Sequence, residues 1–198
     1  MKLVIDHLTR YGYDEEVKFS TQYLRLTPRS TARQTITAWT LTLPDGAAVT
    51  TTDGWGNVLH VLTLDNPHKE ITIRASGIVD IADEGEETRD EEAELLSPLV
   101  FLRCTPLTRA DTAIREFAQR LYRPDAAEES LNQLMADLLL RMPYSPGATQ
   151  VQDSAADAFA RAKGVCQDHT HVFLACCRAL EIPARYVSGY VYSDNAQH

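Results

Sequence analysis

The sequence predicts an α+β protein, with a β-rich half followed by a helical half. Three observations point there. Residues 1–82 hold short runs of β-branched and aromatic residues between glycine and proline turns. From Thr108 onward, apolar residues recur with the helical period. A dense acidic run separates the two. The 198 residues suffice for one large domain or two small ones, and 44% hydrophobic with 24% charged residues is the balance of a globular chain.

In the first half, Lys2–Tyr13 and Val17–Leu26 alternate in part. Arg33–Leu43 alternates more clearly, through Thr35, Ile36, Thr37, Ala38, Trp39, Thr40 and Leu41. Pro44-Asp45-Gly46 marks one turn and Asp53-Gly54-Trp55-Gly56-Asn57 a second. In Val58–Leu64, Val58, His60, Leu62 and Leu64 fall on one face and Leu59, Val61 and Thr63 on the other. Glu70–Ile81 is a further strand. Short strands punctuated this way suggest an antiparallel β-sandwich. His7, His60 and His68 are isolated and read as structural or solvated.

Residues 83–107 read as a linker, acidic at first and then kept extended by Pro98 and Pro106. Cys104 lies in an apolar run and is expected to be a small buried residue. Residues 108–198 form the second domain. Asp111–Tyr122 is one helix, stopped by Pro124. Ser130–Met142 is another, with Leu131, Leu134, Met135, Leu138 and Leu139 in helical register. Ser154-Ala-Ala-Asp157 opens a short helix with a capping-box pattern, and Lys163-Gly164 stops it. Cys166 then starts a helix ended by Pro183, with Val172, Phe173, Cys176 and Leu180 as its apolar stripe. Ala184–Tyr192 reads as a strand leaving that helix.

Charge and composition exclude several classes of function. Asp83–Glu94 carries eight acids against one arginine, a local −7, and the rest of the chain holds 20 acids against 18 bases. A chain with a net charge of −9 is a poor binder of nucleic acid. The acidic run reads as a solvated loop. No signal sequence and no apolar stretch long enough to span a membrane is present, so the chain reads as soluble and cytoplasmic, with no membrane partner. Four cysteines without a Cys-x-x-Cys pair argue against a disulfide scaffold or a zinc knuckle.

The chemistry concentrates after Gly164. A helix N-terminus carries unpaired N–H groups and a partial positive charge. Both favour an anionic sulfur at Cys166, and the same N–H groups can hold the oxyanion of a tetrahedral intermediate. A buried structural cysteine is the plain alternative. Gln167 either lines the site or is an exposed helix-start residue. Asp168 suits the helix dipole with or without a role in the site. His169 lies three residues after Cys166, near the same helix face, while His171 reads as a packing residue. A metal site of Cys166, His169 and His171 is disfavoured, because His171 lies about 140° round the helix.

Gly164-Val165-Cys166-Gln167-Asp168, followed by Ile182-Pro183-Ala184-Arg185-Tyr186-Val187-Ser188-Gly189-Tyr190, resembles the nucleophile helix of the bacterial transglutaminase-like superfamily and the strand after it. Glu181 stands where that family usually has glycine. Tyr144-Ser145-Pro146-Gly147-Ala148-Thr149 is similar to the loop that precedes this helix. The first 80 residues, with Asp53-x-x-Gly56-Asn57, are similar to the family's β-rich N-terminal region.

The resemblance implies a papain-like, transglutaminase-like core that is C-terminally incomplete. It implies Cys166 as the catalytic nucleophile, with Tyr144, Gln167 and Asp168 lining the site and neither a cofactor nor a metal. The expected activity is amide-bond chemistry through a thioester. A peptidase or amidase of the cysteine-protease type acting on a peptide or protein is favoured. A protein-glutamine acyltransferase and a non-catalytic binding or scaffold member are the alternatives. In the family the base and its orienting carboxylate follow the Tyr-Val-Ser-Gly-Tyr strand. The catalytic His and Asp are therefore expected beyond residue 198, with His198 as the competing base. The 198 residues are then expected to be the inactive N-terminal piece of a longer protein, able to self-associate through a sheet edge left uncovered beside 184–192.

Overall fold

The computed structural model describes residues 1–82 and 96–192. The acidic run 83–94 and His198 lie outside the described residues. The chain divides into two units: residues 1–95 with 188–198, and residues 96–187. Among the described residues no helix is long and apolar enough to cross a membrane.

The first unit contains six antiparallel strands: β1 (Lys2–Val17), β2 (Ser20–Thr27), β3 (Gln34–Thr42), β4 (Ala47–Thr52), β5 (Val58–Leu64) and β6 (His68–Ile81). They form two three-stranded sheets, ordered β1-β6-β3 and β2-β5-β4. Alternation decides which side chains enter the core. Ile71, Ile73 and Ala75 of β6 are buried, and their register partners on β1 are Tyr11, Thr9 and His7. Leu24, Leu62 and Leu64 come from the other sheet and close the core against Ile71 and Ile73. Each such side chain contributes roughly 1.5–3 kcal/mol by leaving water.

Sequence patterning did not anticipate β4. Ala47–Thr52 is exposed throughout and has no apolar alternation to reveal it. It is a strand because the turn after it folds it back on β5, pairing Thr52 with Val58 and Ala47 with Thr63. That turn is organised by Asp53, whose carboxylate accepts from the N–H groups of Trp55 and Asn57, the Asn57 amide and Arg25. Burial would raise the Asp53 carboxyl, but the bonds from Arg25, Asn57 and Trp55 outweigh it and hold the group well below the usual carboxylate range.

Residues 184–192, expected as a strand, are in no regular element. Residues 188–192 instead join the first unit. Tyr190 donates its hydroxyl to the Leu26 carbonyl at 2.8 Å, and its ring lies 5.4 Å from that of Trp39 and 5.5 Å from that of His7. Trp39 in turn lies over Gly77, where an added Cβ would come within 2.3 Å of the indole.

The second unit holds α1 (Thr112–Leu121), α2 (Ala127–Arg141), α3 (Ala155–Arg161) and α4 (Cys166–Ala179). Asp111 caps α1 by accepting from Ile114 N at 2.8 Å. The core is built from Ile114, Phe117, Leu134, Leu138, Phe159 and Val172 with their neighbours. Of the apolar stripe expected on α2, Leu134 and Leu138 are buried while Met135 and Leu139 are exposed.

The expected linker 83–107 needs correction in its second part. Residues 96–107 belong to the helical unit, where Pro98–Leu102 and Pro106–Thr108 form 3-10 turns. Arg178 of α4 donates to the Phe101 carbonyl at 3.0 Å and to the Thr108 hydroxyl at 2.6 Å. The prolines read as extending the chain instead open these two turns, an N-terminal position they suit. Cys104, expected to be buried, is exposed.

Candidate active site

α3 ends at Ala162 in the left-handed conformation, φ 54°. The chain then turns through Lys163, Gly164 and Val165 into α4. Gly164 is not the left-handed residue of this turn. It is needed for close approach, because a Cβ there would lie 2.7 Å from both Cβ and Oδ2 of Asp168. Gly164 also pairs with Tyr144: Ser145 N donates to the Gly164 carbonyl at 2.9 Å, and Gly164 N to the Pro143 carbonyl at 3.4 Å.

This turn places Cys166 at the first position of α4, where it is exposed and free. The N-cap residue is Val165, which has no side-chain acceptor. Asp168 supplies only the reverse half of a capping box, taking Val165 N onto Oδ2 at 2.8 Å. The first helical bond runs from His169 N to the Val165 carbonyl. No side chain caps the N–H groups of Cys166 and Gln167, so they remain available to an anionic ligand.

The other expected site residues fall around this helix start in different ways. Asp168 is 2% exposed, and its Oδ2 also accepts the Thr149 hydroxyl at 2.6 Å. Its carboxylate is enclosed by the turn it holds. Gln167 donates its amide to the Val151 carbonyl at 3.1 Å, which leaves its side-chain oxygen free. Tyr144 is 60% exposed and Val151 76% exposed, on the segment that pairs with the turn.

Among the described residues neither nearby histidine is hydrogen-bonded to Cys166. A carbonyl can only accept, so His169 carries its proton on Nε2 and gives it to the Met142 carbonyl at 2.6 Å. His171 is buried, with its ring 5.9 Å from that of Tyr186 and no partner for Nδ1. Burial pushes its imidazole down, the Asp168 charge opposes this, and Arg178 adds to the lowering. The other two cysteines of α4 face the core. Burial, with Cys177 adding to it, pushes the Cys176 thiol up to about 12, and burial pushes Cys177 up to about 11.

Thr149 and Val151 were not singled out as site residues by sequence reasoning. The available signal was their place in the loop just before the nucleophile helix. The missing cap at Val165 was legible, since Val165-x-x-Asp168 differs from Ser154-x-x-Asp157 only in its first residue type.

The family described as bacterial transglutaminase-like N-terminal region matches residues 3–80, and the transglutaminase-like superfamily core matches residues 115–198. The chain belongs to the transglutaminase-like superfamily. An uncharacterized protein of Mycobacterium leprae is 31% identical over 96% of this chain and 71% of its own length. An uncharacterized protein of Mycobacterium bovis is 30% identical over 96% of this chain and 66% of its own. The crystal structure described as "a Putative Cysteine Protease from Cytophaga hutchinsonii" shares the fold, with a TM-score of 0.73 at 21% identity over 92% of this chain and 65% of that one. The chain thus spans about two thirds of the length of these proteins.

Proposed function

We propose that this chain carries the nucleophile of a thiol-dependent amide hydrolase acting on peptides or proteins. The observation that carries this reading is Cys166, exposed at a helix start whose N–H groups no side chain caps. The sulfur attacks the amide carbonyl carbon, forming the S–C bond, while the Cys166 and Gln167 N–H groups receive the charge on the oxygen. The C–N bond then breaks, the nitrogen leaves as amine or ammonia with a proton from the base, and a thioester remains. Water attacks the thioester, releasing the carboxylic acid and restoring the thiol.

We place the base outside the described residues, because no hydrogen bond joins Cys166 to His169, whose Nε2 proton goes to the Met142 carbonyl, and His171 is buried. The family resemblance supports a His and an Asp following residue 198. An amine in place of water would give acyl transfer at the same site.

The reading is tested by mapping iodoacetamide adducts on all four cysteines by peptide mass spectrometry at pH 8. Burial disfavours the charged thiolate, and with thiols raised to about 12 and about 11, Cys176 and Cys177 are expected to stay unlabelled. Cys166 is expected to react about tenfold faster than the exposed Cys104, because its sulfur sits at a helix start. Equal slow labelling of Cys104 and Cys166 would remove the nucleophile assignment.

A further inference from the structure

The segment from Met142 to Val151 is fastened to the start of α4 at several separate points. Met142 receives the His169 ring, Ser145 N bonds to the Gly164 carbonyl, Thr149 bonds to Asp168, and Val151 receives the Gln167 amide. All four are made or received by residues within three positions of Cys166. The Thr149 bond differs in kind from the rest. It is a hydroxyl donating to a carboxylate 2% exposed, at 2.6 Å, onto the oxygen that also holds Val165 N. Charge-assisted bonds of this type are about twice as strong as neutral ones. A buried carboxylate needs every donor it has, since burying charge without partners is strongly unfavourable. Gly164 is the third component: its lack of a side chain lets the carboxylate lie against the turn.

We propose that Thr149 is a positioning residue for the thiol: through Asp168 it fixes the Gly164–Val165–Cys166 turn and locks the 142–151 segment beside it. This rests on the proposal that Cys166 is the nucleophile. Without the hydroxyl, Oδ2 keeps only Val165 N as partner, and the carboxylate gains by rotating toward water. The turn then loses the bond that holds Val165 N, and the helix start that carries Cys166 is no longer fixed. Displacements of about 1 Å at a reacting group lower rates by up to a hundredfold. Tyr144 and Val151 ride on the same segment, so they lose their fixed place beside the thiol as well.

The test compares wild type, Thr149→Val, which keeps the shape and removes the hydroxyl, and Thr149→Ser, which keeps the hydroxyl. The readout is the ratio of Cys166 to Cys104 alkylation rates between pH 6 and 9. Amide hydrogen exchange over residues 144–151 is followed in parallel. Thr149→Val is expected to lower the ratio by about fivefold to tenfold and to change its pH profile, while speeding exchange in 144–151. Thr149→Ser should restore both. An unchanged ratio and unchanged exchange in Thr149→Val would overturn the inference, as would loss of both in Thr149→Ser. Labelling of Cys176 and Cys177 in Thr149→Val would also overturn it, because the unit would then have loosened as a whole. A wild-type ratio near one instead defeats the nucleophile assignment, and exchange over 144–151 still reports on the clamp.

Discussion

α3 and α4 begin eleven residues apart, at Ala155 and Cys166, on nearly the same four-residue frame. In both, an aspartate at the third helical position accepts the N–H of the N-cap residue: Asp157 from Ser154 at 3.0 Å, Asp168 from Val165 at 2.8 Å. In α3 the Ser154 hydroxyl returns the bond by accepting from Asp157 N at 3.2 Å, and the box closes. In α4 the N-cap side chain is an isopropyl group, and the box stays open. The closed end serves the fold alone. The open end forgoes about 1 kcal/mol of capping stability, and an exposed thiol sits there. The helix start whose N-cap residue offers no acceptor is the one that carries the exposed thiol.

Closing the open end should therefore weaken the chemistry. Val165→Ser gives α4 a side chain able to accept from its first turn. Cys166 alkylation is expected to slow by about fivefold, since a side chain that takes up first-turn N–H groups weakens the partial positive charge that favours an anionic sulfur. Its melting temperature should hardly move, because the cap gained roughly offsets the apolar surface lost at half-buried Val165. Faster alkylation in this variant would contradict the comparison.

Opening the closed end should have the opposite profile. Ser154→Ala is expected to lower stability by about 1 kcal/mol in denaturant titration, with Cys166 alkylation unchanged. The Ser154 hydroxyl, and then its N–H, hold the Asp157 carboxyl below its usual value. A carboxyl lowered by folding stabilises in full above about pH 4 and loses that contribution as the pH falls below its unfolded value. The deficit of Ser154→Ala should accordingly shrink in acid. A deficit that grew toward pH 2 would break this reading of the α3 cap.

The smallest expected effect lies at the far end of α4. Glu181 has φ 60°, the left-handed region where a Cβ is strained. Glu181→Gly relieves that strain but frees the unfolded chain, for a net gain of about 0.5 kcal/mol measured by thermal melting.

Much of this was legible in the sequence, for reasons the structure makes plain. Gly164-Val165-Cys166-Gln167-Asp168 is local: a turn, a helix start and a capping frame all lie within five residues. Ser154-x-x-Asp157 was read as a capping pattern for the same reason. The departure at Glu181 was visible as a residue where glycine is usual, and the left-handed φ there supplies the reason. What stayed hidden depends on partners distant in sequence. β4 has no apolar alternation and exists by pairing with β5. Residues 96–107 read as a linker because their anchors, Arg178 and Ala184, lie some 80 positions away. Tyr190 read as part of a strand, whereas its hydroxyl is claimed by Leu26. Thr149 gave no sign of its bond to Asp168, nineteen residues on.

The nucleophile assignment is tested most directly by trapping the acyl-enzyme. The protein would be quenched in acid during turnover of a peptide amide, and the adduct mapped by mass spectrometry. A hydroxylamine-sensitive acyl group on Cys166 alone is expected, with turnover reduced about a thousandfold or more in Cys166→Ala, as for other nucleophile deletions. An acyl group on any other residue, or full turnover by Cys166→Ala, would contradict it.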